Sequence, residues 1–152
     1  MSTSIESISS QLQTNTKNQR TPTTLTSNDY LEMAILGTKR FYIDIGNEDN
    51  WSSEFDGTDT ITRTLNILEI DYCILASEIV FYEQLICGWN DLVSYTTNAI
   101  SVTNAIKPYE AIRETIKIKE KKLIDLFYKM INYTSMSDID SIAVEKVDYN
   151  FE

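Results

Sequence analysis

The side chains best suited to chemistry in this 152-residue chain are its 23 carboxylates and two thiols; histidine is absent. The densest carboxylate run is 46–62, GNEDNWSSEFDGTDTIT, in which Asp56-Gly57 marks a turn. Acids around a glycine raise the question of calcium. With Gly57 at the sixth position of a helix–loop–helix calcium loop, Ser52 falls at the first and Arg63 at the twelfth. An arginine cannot replace the bidentate glutamate that closes such a shell. The run therefore reads as a solvated acidic loop, pinned to the body by Trp51 and Phe55. Cys73 and Cys87 lie in one expected helix, roughly 21 Å apart at 1.5 Å per residue, too far to pair. Both read as small buried apolar side chains. Spacing singles out no acid–base pair among the carboxylates. There is no Gly-rich phosphate loop, no metal-ligand spacing and no dinucleotide fingerprint. The expectation is a protein that is not an enzyme, takes no cofactor or metal, and works by making contacts.

The net charge of −10 repels phosphate, so a grip on a nucleic-acid backbone is not expected. No apolar run approaches the length that crosses a bilayer. The start, MSTSIESISS, lacks the basic and apolar stretches of a signal peptide, which predicts a soluble product that stays where it is made.

The elements that must position these residues are mainly helical. Residues 1–25, rich in Ser, Thr, Gln and Asn, read as a flexible N-terminal arm. Ile5, Ile8 and Leu12 nonetheless fall at helical spacing and would let a short helix dock. A first helix is expected over about 28–45, capped by Thr26 or Ser27, favoured by Asp29 at its N-terminal end and stopped at Gly46. A second begins at the capping box Asn66-Ile67-Leu68-Glu69 and runs to about 92. Four of its seven heptad phases are apolar, which marks the central helix of a bundle or an oligomer interface. A third runs from Pro108, a good first helical residue, to about 133. With Lys107 just before it, it holds seven of the thirteen basic residues against four acids, a balance near +3, while the rest of the chain is near −13. That face is either solvated and laced with pairs one turn apart or a docking face for an acidic neighbour.

Two segments do not fit a plain bundle. Residues 92–107 are rich in Thr, Ser, Val and Ile and almost uncharged, which predicts an extended or β-prone arm between the long helices. Residues 134–152 read as an extended docking tail, because Val147, Tyr149 and Phe151 alternate with polar residues at the strand period. The fold class expected is thus mainly all-α: a three-to-four-helix bundle over 26–133, with extended terminal segments. The candidate interface residues are Tyr95, Thr96, Thr97, Ile100 and Val102 in the arm. In the tail they are Ile142, Val144, Val147, Tyr149 and Phe151.

Two stretches carry a family resemblance. Residues 27–34, SNDYLEMA, continuing through 39–44, KRFYID, look like the opening helix of head–tail connector (adaptor) proteins of tailed bacteriophages. Residues 93–103, VSYTTNAISVT, followed by Lys107-Pro108-Tyr109, are similar to the arm of connector-like proteins of phages from Gram-positive hosts. The resemblance covers roughly 26–133. It implies a virion structural protein at the neck, made in the host bacterial cytoplasm. It would form a twelve-fold ring of identical subunits under the portal protein and receive the tail terminator or stopper. DNA would pass through without specific binding. The arm would contact a ring neighbour or the next ring, and the tail would grip the portal. The alternatives are another neck or tail-completion protein, or a small acidic regulator or inhibitor encoded by a mobile element.

Overall fold

The computed structural model describes the backbone of residues 2–19, 21, 24–96 and 103–147, and the side chains of 2–19, 21, 24–88 and 109–132. Five helices and one small sheet make up the described residues. In chain order they are β1 (Thr3–Ser4), α1 (Ile5–Thr16), α2 (Ser27–Asp44), α3 (Glu48–Glu54), β2 (Thr60–Ile61), α4 (Ile67–Thr96) and α5 (Thr103–Val147). The mainly all-α helical architecture expected from the sequence is present.

The helix starts follow the local chemistry. Thr26 Oγ1 accepts from the Asp29 N–H at 3.3 Å, and Asp29 Oδ2 accepts from the Thr26 N–H at 2.6 Å, a reciprocal cap for α2. Asn66 and Glu69 do the same for α4, at 3.0 and 2.8 Å. Gly46 follows α2 at φ 70°, a conformation that costs other residues a Cβ clash.

The helix α4 is the hub. It meets α2 through Phe41 and Tyr72, with ring centroids 5.7 Å apart, and α5 through Tyr72 and Phe127, 6.4 Å apart. Further along α4, Glu78 pairs with Lys119, earlier on α5, so the two helices run antiparallel. Most of the core gathers around this hub: Ala34, Phe41 and Tyr42 from α2, Cys73, Ala76 and Ile79 from α4, and Leu123 from α5.

The N-terminal segment is not a flexible arm. Ile5, Ile8 and Leu12 are completely buried, the first two in the main core and Leu12 among Tyr30, Met33, Phe81 and Leu85. Each such burial is worth roughly 1.5–3 kcal/mol. A twelve-residue helix is marginal in water by itself, so these three anchors hold α1 in place. Seven of its nine polar residues lie outside the core, while Ser9 and Thr16 are buried. β1 fastens the start of the chain by pairing antiparallel with β2, Thr3 opposite Ile61 and Ser4 opposite Thr60.

The acidic run 46–62 is more ordered than a loop. It contains α3 and β2, and Trp51 stacks on Phe55 at 4.6 Å while packing edge-on against Tyr42. Asp56 Oδ1 accepts from the N–H groups of Thr58, Asp59 and Thr60, and Gly57 takes φ 88° to close the turn.

The β-prone arm at 92–107 is largely helix. α4 continues to Thr96 and α5 starts at Thr103, leaving only 97–102 between them, outside the described residues. β-branched residues lower helix propensity by only tenths of a kcal/mol each, too little to outweigh extension of two long packed helices. Pro108 occupies the sixth position of α5 rather than the first, where it forgoes one backbone hydrogen bond. Over 134–147 the extended tail is corrected too, because α5 runs on through Val147, while 148–152 lie outside the described residues. A strand alternation carried by three residues is a weaker signal than the helical spacing of Met136, Ile139, Ala143 and Val147 in the same segment. Of the two thiols, Cys73 is buried as expected, but Cys87 is exposed.

Candidate interaction surface

Of the residues singled out in the sequence, the structure places the backbone of five. Tyr95 and Thr96 end α4, and Ile142, Val144 and Val147 lie on the last turns of α5. The side chains of these five, and all of Thr97, Ile100, Val102, Tyr149 and Phe151, lie outside the described residues. α5 spans roughly 67 Å at 1.5 Å per residue, and Ile142, Val144 and Val147 lie at its C-terminal end.

Another surface was missed in the sequence. α2 and α5 flank α4 without closing on each other over Tyr72, and the gap is a groove of about 450 Å³. Tyr72 forms part of its lining, with Arg40 and Asp44 from α2 and Glu120, Leu123, Ile124 and Phe127 from α5. The polar side of the groove is organised. Tyr72 Oη donates to Asp44 Oδ2 at 2.6 Å, and Arg40 Nε stands 3.5 Å from the same oxygen. Burial and the neighbouring Asp44 carboxylate push the Tyr72 phenol well above its ordinary range, so Tyr72 stays a protonated donor. Glu120, half-buried on the other wall, forms no ion pair among the described residues.

The rim of the groove is apolar. Ile124, Tyr128 and Ile131 are 55, 61 and 48 % exposed, and recur four and three residues apart on the α5 side. Leu36 and Ile43 on α2 flank Arg40 and are 48 and 46 % exposed. Single exposed apolar side chains are ordinary; here five recur on the faces of the two helices that flank the groove. The signal was present in the sequence. The stripe Ile124, Tyr128, Ile131 runs beside the core stripe Leu123, Phe127, Met130, and two adjacent apolar stripes exceed what one hub helix can cover.

A second polar cluster is structural. Glu78 and Lys119 form an ion pair between α4 and α5, and Asn15 Nδ2 on α1 donates to Glu78 Oε1 at 2.6 Å. The Lys119 ammonium also lies 5.5 Å from the Tyr82 ring centroid. With both carboxylate oxygens engaged, Glu78 serves to tie three helices together. Among the described residues no group of three or more Cys, Asp or Glu is placed to hold a metal ion. No helix among them is long and apolar enough to cross a membrane.

The site is thus an open groove on a helical bundle, with an apolar rim, a fixed phenol donor and a carboxylate that has no ion-pair partner among the described residues. No protein-family model, curated protein or solved structure matches the chain.

Proposed function

We propose that this chain is a non-catalytic assembly protein, and within that class a head–tail connector of a tailed bacteriophage. It sits in the virion neck, forms a ring of identical subunits under the portal protein, extends the DNA channel and receives the tail terminator or stopper. The observation that carries the reading is the run of half-exposed apolar side chains bordering the α2–α5 groove, a surface made for polypeptide rather than for a small substrate. The resemblance of 27–44 and 93–109 to connector proteins supplies the particular role.

The electrostatics suit that role. A net charge of −10 lets DNA pass a channel without sticking to its wall. The length of α5, 45 residues against 30 for α4, gives the bundle an extension with which to reach the portal. The test is the mass of the protein by light scattering, alone and with the portal protein of the same phage. The expected result is a monomer or weak oligomer alone and a stoichiometric ring with the portal. Failure to join the portal, or capture by an isolated tail instead, would overturn the connector role.

A further inference from the structure

We infer that the cleft between α1 and the first turn of α2 binds a small saccharide or polyol, a neutral ligand recognised by its hydroxyl groups. The inference is independent of the connector reading. It concerns other residues, and its test needs no partner protein.

The cleft has a volume of about 440 Å³, within the range of small-ligand sites. Ser9 is the residue that points to an occupant. It is only 8 % exposed and lines the cleft, yet its hydroxyl makes no hydrogen bond to the rest of the chain. The other buried polar side chains among the described residues, Thr3, Thr16, Thr38, Ser77 and Glu78, are all bonded. Thr16, Thr38 and Ser77 bond back to the carbonyl four residues earlier, the ordinary course for a helical hydroxyl, which Ser9 does not take. No fully enclosed side-chain oxygen or nitrogen among the described residues lacks a partner. The Ser9 hydroxyl therefore opens on the cleft, and its partner must come from there.

Unspent donors and acceptors surround it. Thr26 engages the N–H groups of Asp29 and Tyr30, which leaves those of Ser27 and Asn28 facing outward at the start of α2. Glu6, Ser10 and Gln13 share the cleft face of α1 with Ser9, and Leu31 adds one apolar contact.

This balance selects the ligand class. Glu6 and the capping Asp29 repel an anion drawn to the start of α2. One lining carboxylate beside the positive end of a helix is too little for a divalent cation. A peptide takes a sheet edge or a row of apolar pockets, and Leu31 stands alone in the lining. A sugar fits both kinds of group: its hydroxyls donate to Glu6 and Gln13 and accept from Ser9 and the α2 amides, while a C–H face rests on Leu31.

The test is amide NMR of the full chain, titrated separately with glucose, N-acetylglucosamine, ribose and glycerol to about 100 mM, with sodium sulfate as the anion control. At least one of the hydroxylated probes should shift the signals of Ser9, Ser10, Ser27 and Asn28 saturably. Ser9→Ala, which favours the helix, should weaken that binding about fivefold, the worth of one hydrogen bond. Ser7→Ala, exposed on the same helix, should leave it unchanged. No saturable shift with any hydroxylated probe overturns the inference. So does binding that Ser9→Ala leaves intact, or a response at these amides to sulfate alone.

Discussion

Gly37 on α2 lies directly against Ser77 on α4: a Cβ built on Gly37 would stand 2.5 Å from the Ser77 nitrogen and 2.6 Å from its Cα. The obstruction is backbone, which cannot rotate aside. The two helices cross here closely enough that Ser77, completely buried, turns its hydroxyl back to the Cys73 carbonyl at 2.6 Å. Gly37→Ala gains about 1 kcal/mol of helix propensity but forces the α2–α4 crossing apart, at an overpacking cost of about 3 kcal/mol. The net expectation is a loss of about 2 kcal/mol by urea denaturation, with the slope unchanged.

The Glu78–Lys119 pair leads to a second prediction. Its side chains are only 9 and 21 % exposed, so removing the cation strands a carboxylate in the interior. Lys119→Met should cost about 3 kcal/mol. Adding Glu78→Leu should return most of that loss, because an apolar pair of similar volume replaces the charges. The double-mutant cycle, followed by chemical denaturation, measures the coupling. A double variant as unstable as Lys119→Met alone would mean that the Asn15 bond to Glu78, not the ion pair, carries the cluster.

The thiols should differ sharply in reactivity. Burial pushes the Cys73 thiol up to about 12, so the thiolate that reagents require is scarce at neutral pH. Cys87 is exposed. A chromogenic disulfide reagent at pH 8 should titrate one thiol quickly in the native protein and the second only after denaturation. Cys87→Ser should abolish the fast phase.

How much of this was legible beforehand depended on whether a signal was local. The caps at Thr26–Asp29 and Asn66–Glu69, the stop at Gly46 and the hub character of α4 are written in adjacent residues, and the structure follows them. The N-terminal segment was obscured because nine polar positions of α1 outnumber the three apolar ones. Composition averages over faces, whereas Ile5, Ile8 and Leu12 share a single one. At 92–96, 103–107 and 134–147, residues with strand preference lie in helix because packing of long helices outweighs small propensity differences. The stripe Ile124, Tyr128, Ile131 was written in the spacing, but the open groove it borders was not, since that depends on how far α2 and α5 stand apart over Tyr72.

Acid sensitivity should arise from two exposed caps. Hydrogen bonds from the Thr58 N–H and then the Thr60 N–H hold the Asp56 carboxyl below its ordinary value, and the Thr26 N–H and hydroxyl do the same for Asp29. For a carboxyl lowered in the folded state, the stabilisation is fully present above its unfolded value, near about 4, and fades as pH falls through the folded value. The melting temperature should therefore drop below about pH 4. The Asp29→Asn, Asp56→Asn double variant should melt lower at pH 7 and show a shallower fall in acid.

The account stands or falls on whether the apolar rim of the α2–α5 groove is covered by polypeptide in the working assembly. Hydroxyl-radical footprinting of Tyr128 and Ile131, on the free chain and on the chain assembled with its portal protein, measures that directly. The account predicts strong modification of both side chains in the free protein and marked protection in the assembly. Equal modification in the two states would contradict it.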